Sequence, residues 1–299
     1  MRVFVTGASG FIGSAVVREL LGAGHRVLSL ARSDRSAAAL VEAGAEVCRG
    51  DLGDPEGLQG PAAASDGVVH LAYRHDLLDT GDLTTAGEID LRAVEALGAA
   101  LEGSGKPLVS ASGSMIVQAS GPVATEEDPA APGTHRTPAE NAVLALAGRG
   151  VRSSAVRLPP TVHGRGDRAF LPEVIGRARA RGVSAYVGDG ANRWPAVHLL
   201  DAAVLFRLAL ESAPAGSRLH GVAEEGVPFR DIASLVGRRL GLPVRGLSGD
   251  EAAAHFGWLT PFAGLDSPAS ATLTRERLGW RPVRPGLLAD LEEGHYWVV

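Results

Sequence analysis

The stretch that decides the fold is Val3-Phe4-Val5-Thr6-Gly7-Ala8-Ser9-Gly10-Phe11-Ile12-Gly13. Its first residues form a short apolar run that predicts a buried strand, and an apolar helical pattern follows the third glycine. Gly7 permits a tight turn, Gly10 a close approach of the backbone to a pyrophosphate, and Gly13 close packing of helix on strand. Free N–H groups at the helix start would then face the phosphates. The stretch predicts a dinucleotide-binding turn, against the alternative of a glycine-rich turn without a ligand.

The glycine spacing G-x-x-G-x-x-G, closed by Phe11-Ile12-Gly13, resembles the extended short-chain dehydrogenase/reductase family, and within it the NAD-dependent epimerases and dehydratases. Strands that alternate with helices independently predict an α/β fold with a doubly wound parallel sheet of the Rossmann type. We expect a dinucleotide-binding domain over residues 1–160, to which 197–222 return. A smaller C-terminal substrate-binding lobe is expected to occupy most of 161–299.

Composition limits the classes of function. The chain has 299 residues and a formal charge of −5 without a basic cluster, so a nucleic-acid partner is not expected. The single cysteine, Cys48, cannot form an internal disulfide and fits a reducing compartment. No apolar run reaches the roughly 18 residues of a membrane span, and a strand at the N-terminus leaves no room for a signal peptide. A cytoplasmic protein without a membrane partner is expected.

The end of the second predicted strand indicates which dinucleotide binds. An acidic residue about 20 positions after the glycines would bind the ribose hydroxyls of NAD. This chain has Arg32 there, followed by Ser33 and Arg35, and guanidinium groups match the oxygens of a 2′-phosphate. NADP(H) is therefore predicted over NAD(H). The alternatives are that Asp34 reaches the ribose, or that the arginines are solvated surface.

The resemblance implies further cofactor contacts at the strand ends. Asp51, after the third strand, would contact the adenine ring, although an aspartate there could instead cap the next helix. The remaining implied contacts are Ser9, Phe11, Ile12, Leu52, Leu71, Ala72, Leu158 and Pro159.

The catalytic motif of the resembled family is incomplete in this chain. Family members hold the reacting carbonyl with a serine and a tyrosine, and a lysine follows the tyrosine by four positions. Ser112, just past the fifth strand, matches the serine. Alignment on the helix that contains Glu140 puts Arg136 at the lysine position and Pro132 at the tyrosine position. The usual Tyr-x-x-x-Lys is therefore absent.

Hydride transfer to a carbonyl carbon leaves an alkoxide, which requires a proton donor. Arginine cannot serve, because its pKa is too high. Three other residues are candidates: Tyr73 and His75 after the fourth strand, and His135 beside the lost motif. Tyr73 is our first choice, since its loop should pass near the nicotinamide. The alternative is that all three are loop residues without chemistry.

The second half of the chain contains candidate substrate residues. Asn192, Arg193 and Trp194 together suit a polar or anionic ligand with a flat part. His163 either faces the substrate or belongs only to its loop. His198 and Asp201 are interpreted as a structural contact between lobes, and no metal site is expected.

These features predict an NADP(H)-dependent oxidoreductase that acts on a carbonyl or alcohol of a small molecule. Two alternatives remain open: a redox-neutral epimerase or dehydratase, and a sensor that binds NADP but has lost catalysis. The resemblance also suggests a homodimer.

Overall fold

A computed structural model describes residues 1–77 and 81–297 of the chain. Its strands, in chain order, are β1 (Arg2–Thr6), β2 (Arg26–Ala31), β3 (Glu46–Arg49), β4 (Gly67–His70), β5 (Pro107–Gly113), β6 (Arg152–Leu158), β7 (Thr161–His163), β8 (Ser184–Val187), β9 (Arg193–His198), β10 (Ser217–His220), β11 (Glu224–Pro228) and β12 (Val244–Leu247). Its α-helices are α1 (Phe11–Gly22), α2 (Asp34–Glu42), α3 (Pro55–Ala63), α4 (Leu83–Leu101), α5 (Thr137–Ala145), α6 (Phe170–Arg181), α7 (Leu199–Ser212), α8 (Phe229–Leu240), α9 (Gly249–Phe256), α10 (Thr260–Ala263), α11 (Thr272–Leu278) and α12 (Leu287–Glu292).

Seven strands form the central sheet in the order β10-β6-β5-β4-β1-β2-β3, and every neighbouring pair is parallel. The order reverses between β1 and β4, which makes the carboxyl ends of these strands the expected ligand crevice. The predicted α/β fold with a doubly wound parallel sheet is confirmed.

Helices cover both faces of the sheet, because its inner strands carry apolar side chains on both sides. On one face α1 packs on α7, where Val16 and Leu20 join Phe206 and Leu210 in a single buried cluster. A 2.7 Å ion pair between Glu19 and Arg207 borders this contact. On the other face α3, α4 and α5 pack side by side over a second buried cluster.

Two short sheets lie outside the central one. β7, β9 and β11 form a three-stranded sheet, and β8 pairs with β12. β10 instead joins the edge of the central sheet, beside β6. Among the described residues, no helix combines the length and apolar character needed to cross a membrane.

Candidate active site

The turn between β1 and α1 has a backbone that only glycine can form. Gly7 has φ +68°, and a Cβ there would lie 2.6 Å from the amide nitrogen of Ala72. A Cβ on Gly13 would lie 2.0 Å from the carbonyl oxygen of Gly7. The Gly10 amide donates to that same carbonyl over 3.0 Å and so closes the turn.

This turn fits a pyrophosphate. Gly10 is the N-cap of α1 and contributes no side-chain cap, so no side chain satisfies the first N–H groups of the helix. Its first turn also contains no acidic residue that would repel an anion. Ser9 is exposed and Phe11 and Ile12 are half-buried, as a cradle open to a ligand requires. Leu71 and Ala72 form the opposite wall, through their backbone contact with Gly7.

The residues predicted to recognise the adenosine end lie together at the ends of β2 and β3. Arg32 has a side chain that is 65% exposed, and its Nε lies 3.9 Å from Asp51. Asp51 accepts from the Gly53 amide over 2.7 Å, whereas the N-cap of α3 is Asp54, so Asp51 does not cap that helix. The alternative was that Asp34 binds a ribose. Its carboxylate instead forms an ion pair with Arg49, which would have to break for Asp34 to bind the ribose.

Three of the predicted cofactor contacts have side chains committed to the protein. The Ser33 hydroxyl accepts from the Ser36 amide in a capping box at the start of α2. Leu52 and Leu158 are 6% and 8% exposed and pack into the two core clusters. Arg35 remains exposed on α2, and Pro159 is buried directly after β6.

Ser112 is tied to a buried ion pair. Its hydroxyl donates to Oε2 of Glu140 over 2.6 Å, and Arg157 holds the same carboxylate through Nη2 at 2.6 Å and Nε at 3.1 Å. Glu140 and Arg157 are 3% and 0% exposed. The only proton of the Ser112 hydroxyl is therefore used internally, and the oxygen keeps lone pairs to accept a hydrogen bond.

Arg136 stands at the centre of the predicted donor residues. Its guanidinium carbon lies 4.2 Å from the centroid of the Tyr73 ring, in a cation–π arrangement. Its Nη2 donates to the carbonyl of Ala111 over 2.8 Å, which places the charge beside Ser112. The Tyr73 ring lies 5.2 Å from that of His75 and 6.2 Å from that of His135. The structure thus brings all three candidate donors together.

The protonation states of this cluster follow from its surroundings. The Tyr73 hydroxyl oxygen is inaccessible to water and makes no hydrogen bond of good geometry with the described residues, although the Arg136 guanidinium interacts with it. Burial raises the pKa of the Tyr73 phenol, and the positive charge and hydrogen bonding of Arg136 offset only part of that effect. Burial and the Arg136 charge both lower the pKa of His135. At neutral pH the Tyr73 phenol is then protonated and the His135 imidazole is neutral.

Arg136 is linked through Asp90 to a chain of buried polar side chains. Asp90 is 3% exposed, and its Oδ2 lies 3.7 Å from Nη1 of Arg136. Its Oδ1 lies 3.1 Å from Nε2 of His70, whose Nδ1 in turn contacts the hydroxyl of Thr6 at 2.7 Å. Burial acts to raise the pKa of Asp90, but the Arg136 charge and the His70 hydrogen bond outweigh it and the pKa is lowered. Asp90 is therefore ionised, and its charge holds the Arg136 guanidinium in place.

The predicted substrate residues have mostly structural roles in this structure. Trp194 is 0% exposed and donates from its indole nitrogen to the Phe262 carbonyl, so the expectation that its ring faces a substrate is wrong. Arg193 makes a bidentate ion pair with Asp266 at 3.0 and 2.9 Å. The Asn192 amide donates to the carbonyl of Ala263, the last residue of α10, and to that of Leu265 just after the helix. In the sequence, hydrogen-bond donors at a strand end resemble ligand-binding groups, because their partners lie about 70 positions further along the chain.

His163 is also fully buried, which favours the alternative that it does not face a substrate. Its Nδ1 contacts Oδ2 of Asp290 over 2.9 Å. Sequence reasoning missed the partner elements at the C-terminus, where the Tyr296 hydroxyl donates to Asp167 over 2.9 Å and accepts from the Gly164 amide over 3.1 Å. Burial raises the pKa of Asp167 to about 6. The available signal was the density of His, Asp and Tyr in the last ten residues.

The comparisons with known proteins agree with this geometry. Residues 3–220 match the sequence profile of the NAD dependent epimerase/dehydratase family. The chain belongs to this family. The predicted resemblance to the extended short-chain dehydrogenases/reductases is thereby confirmed.

Two curated relatives match nearly the whole length of this chain, and a third matches most of it. An uncharacterized protein of Schizosaccharomyces pombe is 47% identical over 298 residues, which cover 99% of this chain and 100% of that protein. An uncharacterized protein of Saccharomyces cerevisiae is 44% identical and covers 99% of both chains. The 2-alkyl-3-oxoalkanoate reductase of Stenotrophomonas maltophilia is 29% identical over 257 residues, which cover 81% of this chain and 77% of that enzyme.

Solved structures share the fold of this family member. MoeE5, in complex with UDP-glucuronic acid and NAD, aligns with a TM-score of 0.73 and 25% identity over 99% of this chain and 98% of that one. A double mutant of the dTDP-glucose 4,6-dehydratase DesIV from Streptomyces venezuelae, with NAD bound, aligns with a TM-score of 0.80 over 99% of this chain and 96% of that one. At 21% identity, this second likeness bears on the fold alone.

Proposed function

We propose that the protein is an NADP(H)-dependent oxidoreductase that reduces a carbonyl group of a small molecule, or oxidises the corresponding alcohol. The observation that carries the proposal is the Tyr73 phenol. It is protonated and shielded from water, and it lies against the Arg136 guanidinium, which is hydrogen-bonded to the backbone beside Ser112. A protic group of this kind is what the missing tyrosine would have supplied.

The proposed reaction divides the work among a few residues. The glycine turn and the start of α1 bind the pyrophosphate, and the bound nicotinamide supplies the hydride. Tyr73 then gives its proton to the oxygen that has become an alkoxide. The charge of Arg136, 4.2 Å from the ring centroid, stabilises the phenolate that remains. Ser112 accepts a hydrogen bond from the product alcohol, because its own proton is donated to Glu140.

The preference for NADP(H) is proposed from the charges at the end of β2. Arg32 and Arg35 are both exposed there, and Arg32 makes only long-range contacts with the described carboxylates, at 3.9 Å from Asp51 and further from Asp76. A 2′-phosphate would bind these guanidinium groups with charge-assisted hydrogen bonds. Reductase activity among relatives, as in the 2-alkyl-3-oxoalkanoate reductase, supports the same direction of reaction.

The test is Tyr73→Phe, which removes one hydroxyl and keeps the ring under Arg136. With a panel of aldehydes, ketones and 3-oxo acids, wild type should oxidise NADPH, and the variant should lose about 10²- to 10⁴-fold in kcat/KM. The Kd for NADPH, measured by cofactor fluorescence, should not change. Tyr186→Phe, the same substitution in β8 of the smaller lobe, is the matched control and should retain full activity.

Two results would contradict the proposal. If Tyr73→Phe reduces carbonyls as fast as wild type does, the proton comes from another group. If wild type binds NADPH but consumes none of it on any carbonyl, the protein is not a reductase. In that case a redox-neutral reaction should be tested first. The assay would follow the conversion of a sugar nucleotide while the protein keeps its cofactor bound and unconsumed.

A further inference from the structure

The end of the chain brings a group of imidazoles around one buried carboxylate. Asp290, in α12, has a side chain that is 2% exposed. His163 contacts its Oδ2 through Nδ1 at 2.9 Å, Nε2 of His295 lies 3.6 Å from the same oxygen, and Nε2 of His198 lies 4.0 Å from Oδ1. This cluster belongs to β7, β9 and the C-terminal segment, and the proposed hydride transfer does not use it.

Three side chains near the end of the chain hold possible ligand atoms close to one another. Asp290, Glu293 and His295 each offer one oxygen or nitrogen, and these atoms all lie within 4.8 Å of one another. The local fold explains the convergence. Glu293 is the C-cap of α12 and its amide donates to the Asp290 carbonyl over 3.1 Å, so the chain turns there and returns His295 towards Asp290.

A second observation points to a ligand. The His295 side chain is only 6% exposed, and its Nε2 is buried and has no hydrogen-bond partner among the described residues. A buried polar atom without a partner is costly, so such atoms normally have a protein, water or ion partner. At 3.6 Å from the Asp290 carboxylate, this nitrogen is too far for a good hydrogen bond.

That spacing fits a bridging metal ion. Ligands about 2.1 Å from a tetrahedral ion lie about 3.4 Å from one another, close to the separation of these two atoms. One imidazole nitrogen and two carboxylate oxygens form a borderline donor set, which suits Zn²⁺ and, more weakly, Mn²⁺. His163 is a positioning residue here, because its contact with Asp290 fixes the orientation of that carboxylate.

We propose that Asp290, Glu293 and His295 form a binding site for one divalent transition-metal ion, with Zn²⁺ as the preferred occupant. Three protein ligands leave a coordination position open, as in zinc sites that bind water or substrate. His295 also lines a cavity of about 210 Å³, whose other walls include Asp167, Arg179 and Tyr296.

The test is the metal content and affinity of the full-length protein. Protein stripped with a chelator and titrated with Zn²⁺ in a calorimeter should bind one equivalent. His295→Gln and Glu293→Gln should each weaken binding about tenfold or more. Because Glu293 is exposed, its variant should fold even if the substitution at His295 disturbs the C-terminus. Co²⁺ in place of Zn²⁺ should give the visible absorption of a four-coordinate site.

Matched controls separate this site from general affinity for metal ions. Glu292→Gln makes the same change one residue away, at a side chain that pairs with Arg238. His25→Gln removes an imidazole that pairs with Glu211 on the other lobe. Both controls should bind Zn²⁺ as wild type does. The proposal is wrong if stripped wild type binds less than one equivalent, or if the ligand variants and the controls bind equally well. Neither outcome depends on whether the protein reduces carbonyls.

Discussion

The cofactor turn at Gly7–Gly13 and the donor cluster around Tyr73 lie at the carboxyl ends of neighbouring strands, yet they are built in opposite ways. The turn consists of backbone, and its geometry comes from residues that lack side chains. The cluster consists of side chains from segments far apart in the chain: the loop after β4, helix α4 and the residues before α5. The geometry of the turn therefore depends on glycine at fixed positions, whereas the cluster depends on contacts between side chains.

The largest expected effect is that of Gly13→Ala in the cofactor turn. Its Cβ would lie 2.0 Å from the Gly7 carbonyl oxygen, so α1 must move away from β1. NADPH affinity should fall by about 100-fold or more, since the helix N-terminus no longer faces the pyrophosphate. Cofactor fluorescence and thermal unfolding measure the two consequences.

Gly22→Ala provides the control, because it makes the same change in the same helix where a Cβ meets nothing within 4 Å. It should leave NADPH binding intact and stabilise the helix slightly. Equal behaviour of the two variants would mean that the turn is not the cofactor site.

An intermediate effect is expected for Arg136→Met in the donor cluster. Activity should fall by about 100-fold, because the phenolate of Tyr73 loses its counter-charge. Stability should also fall, by about 2 kcal/mol, since Asp90 stays buried with His70 as its remaining close partner. Urea unfolding and kcat/KM measure these losses, while the Kd for NADPH should stay near the wild-type value.

Adding Asp90→Asn to that variant separates the two losses. The double variant removes the uncompensated charge and should recover most of the stability, but none of the activity. Recovery of activity would show that Arg136 serves only to neutralise Asp90.

The smallest of these effects is expected for Arg32→Ser at the end of β2. NADPH affinity should fall about tenfold, the value of one charge-assisted hydrogen bond, and NADH affinity should be unchanged. Arg281→Ser, at an exposed arginine of the C-terminal segment, is the control. A parallel loss of NADH affinity would place Arg32 at the pyrophosphate or adenine and remove the basis for an NADP(H) preference.

The sequence predicted the parts of the molecule whose causes are local. Strand β1, the glycine turn and α1 are adjacent in the chain, so spacing alone identifies them. The position of Tyr73 also followed, because the carboxyl ends of parallel strands meet at one edge. The partners of Ser112 and Arg193 did not follow. Glu140 and Asp266 lie 28 and 73 positions away, and no pattern in the chain links them. From the sequence alone, Asn192-Arg193-Trp194 is compatible both with a ligand-binding site and with buried structural contacts.

The packing of α1 on α7 has a consequence for the synthesis of the protein. Glu19 and its partner Arg207 are 188 positions apart, and the apolar faces of both helices meet at the same place. At ribosomal rates of about 5–20 residues per second, the second helix follows the first by roughly 10–40 s. During that interval Val16 and Leu20 have no native partner on α7. The face of α1 that packs on α7 is thus covered late, and a nascent chain stalled before residue 199 would expose this apolar face to chaperones.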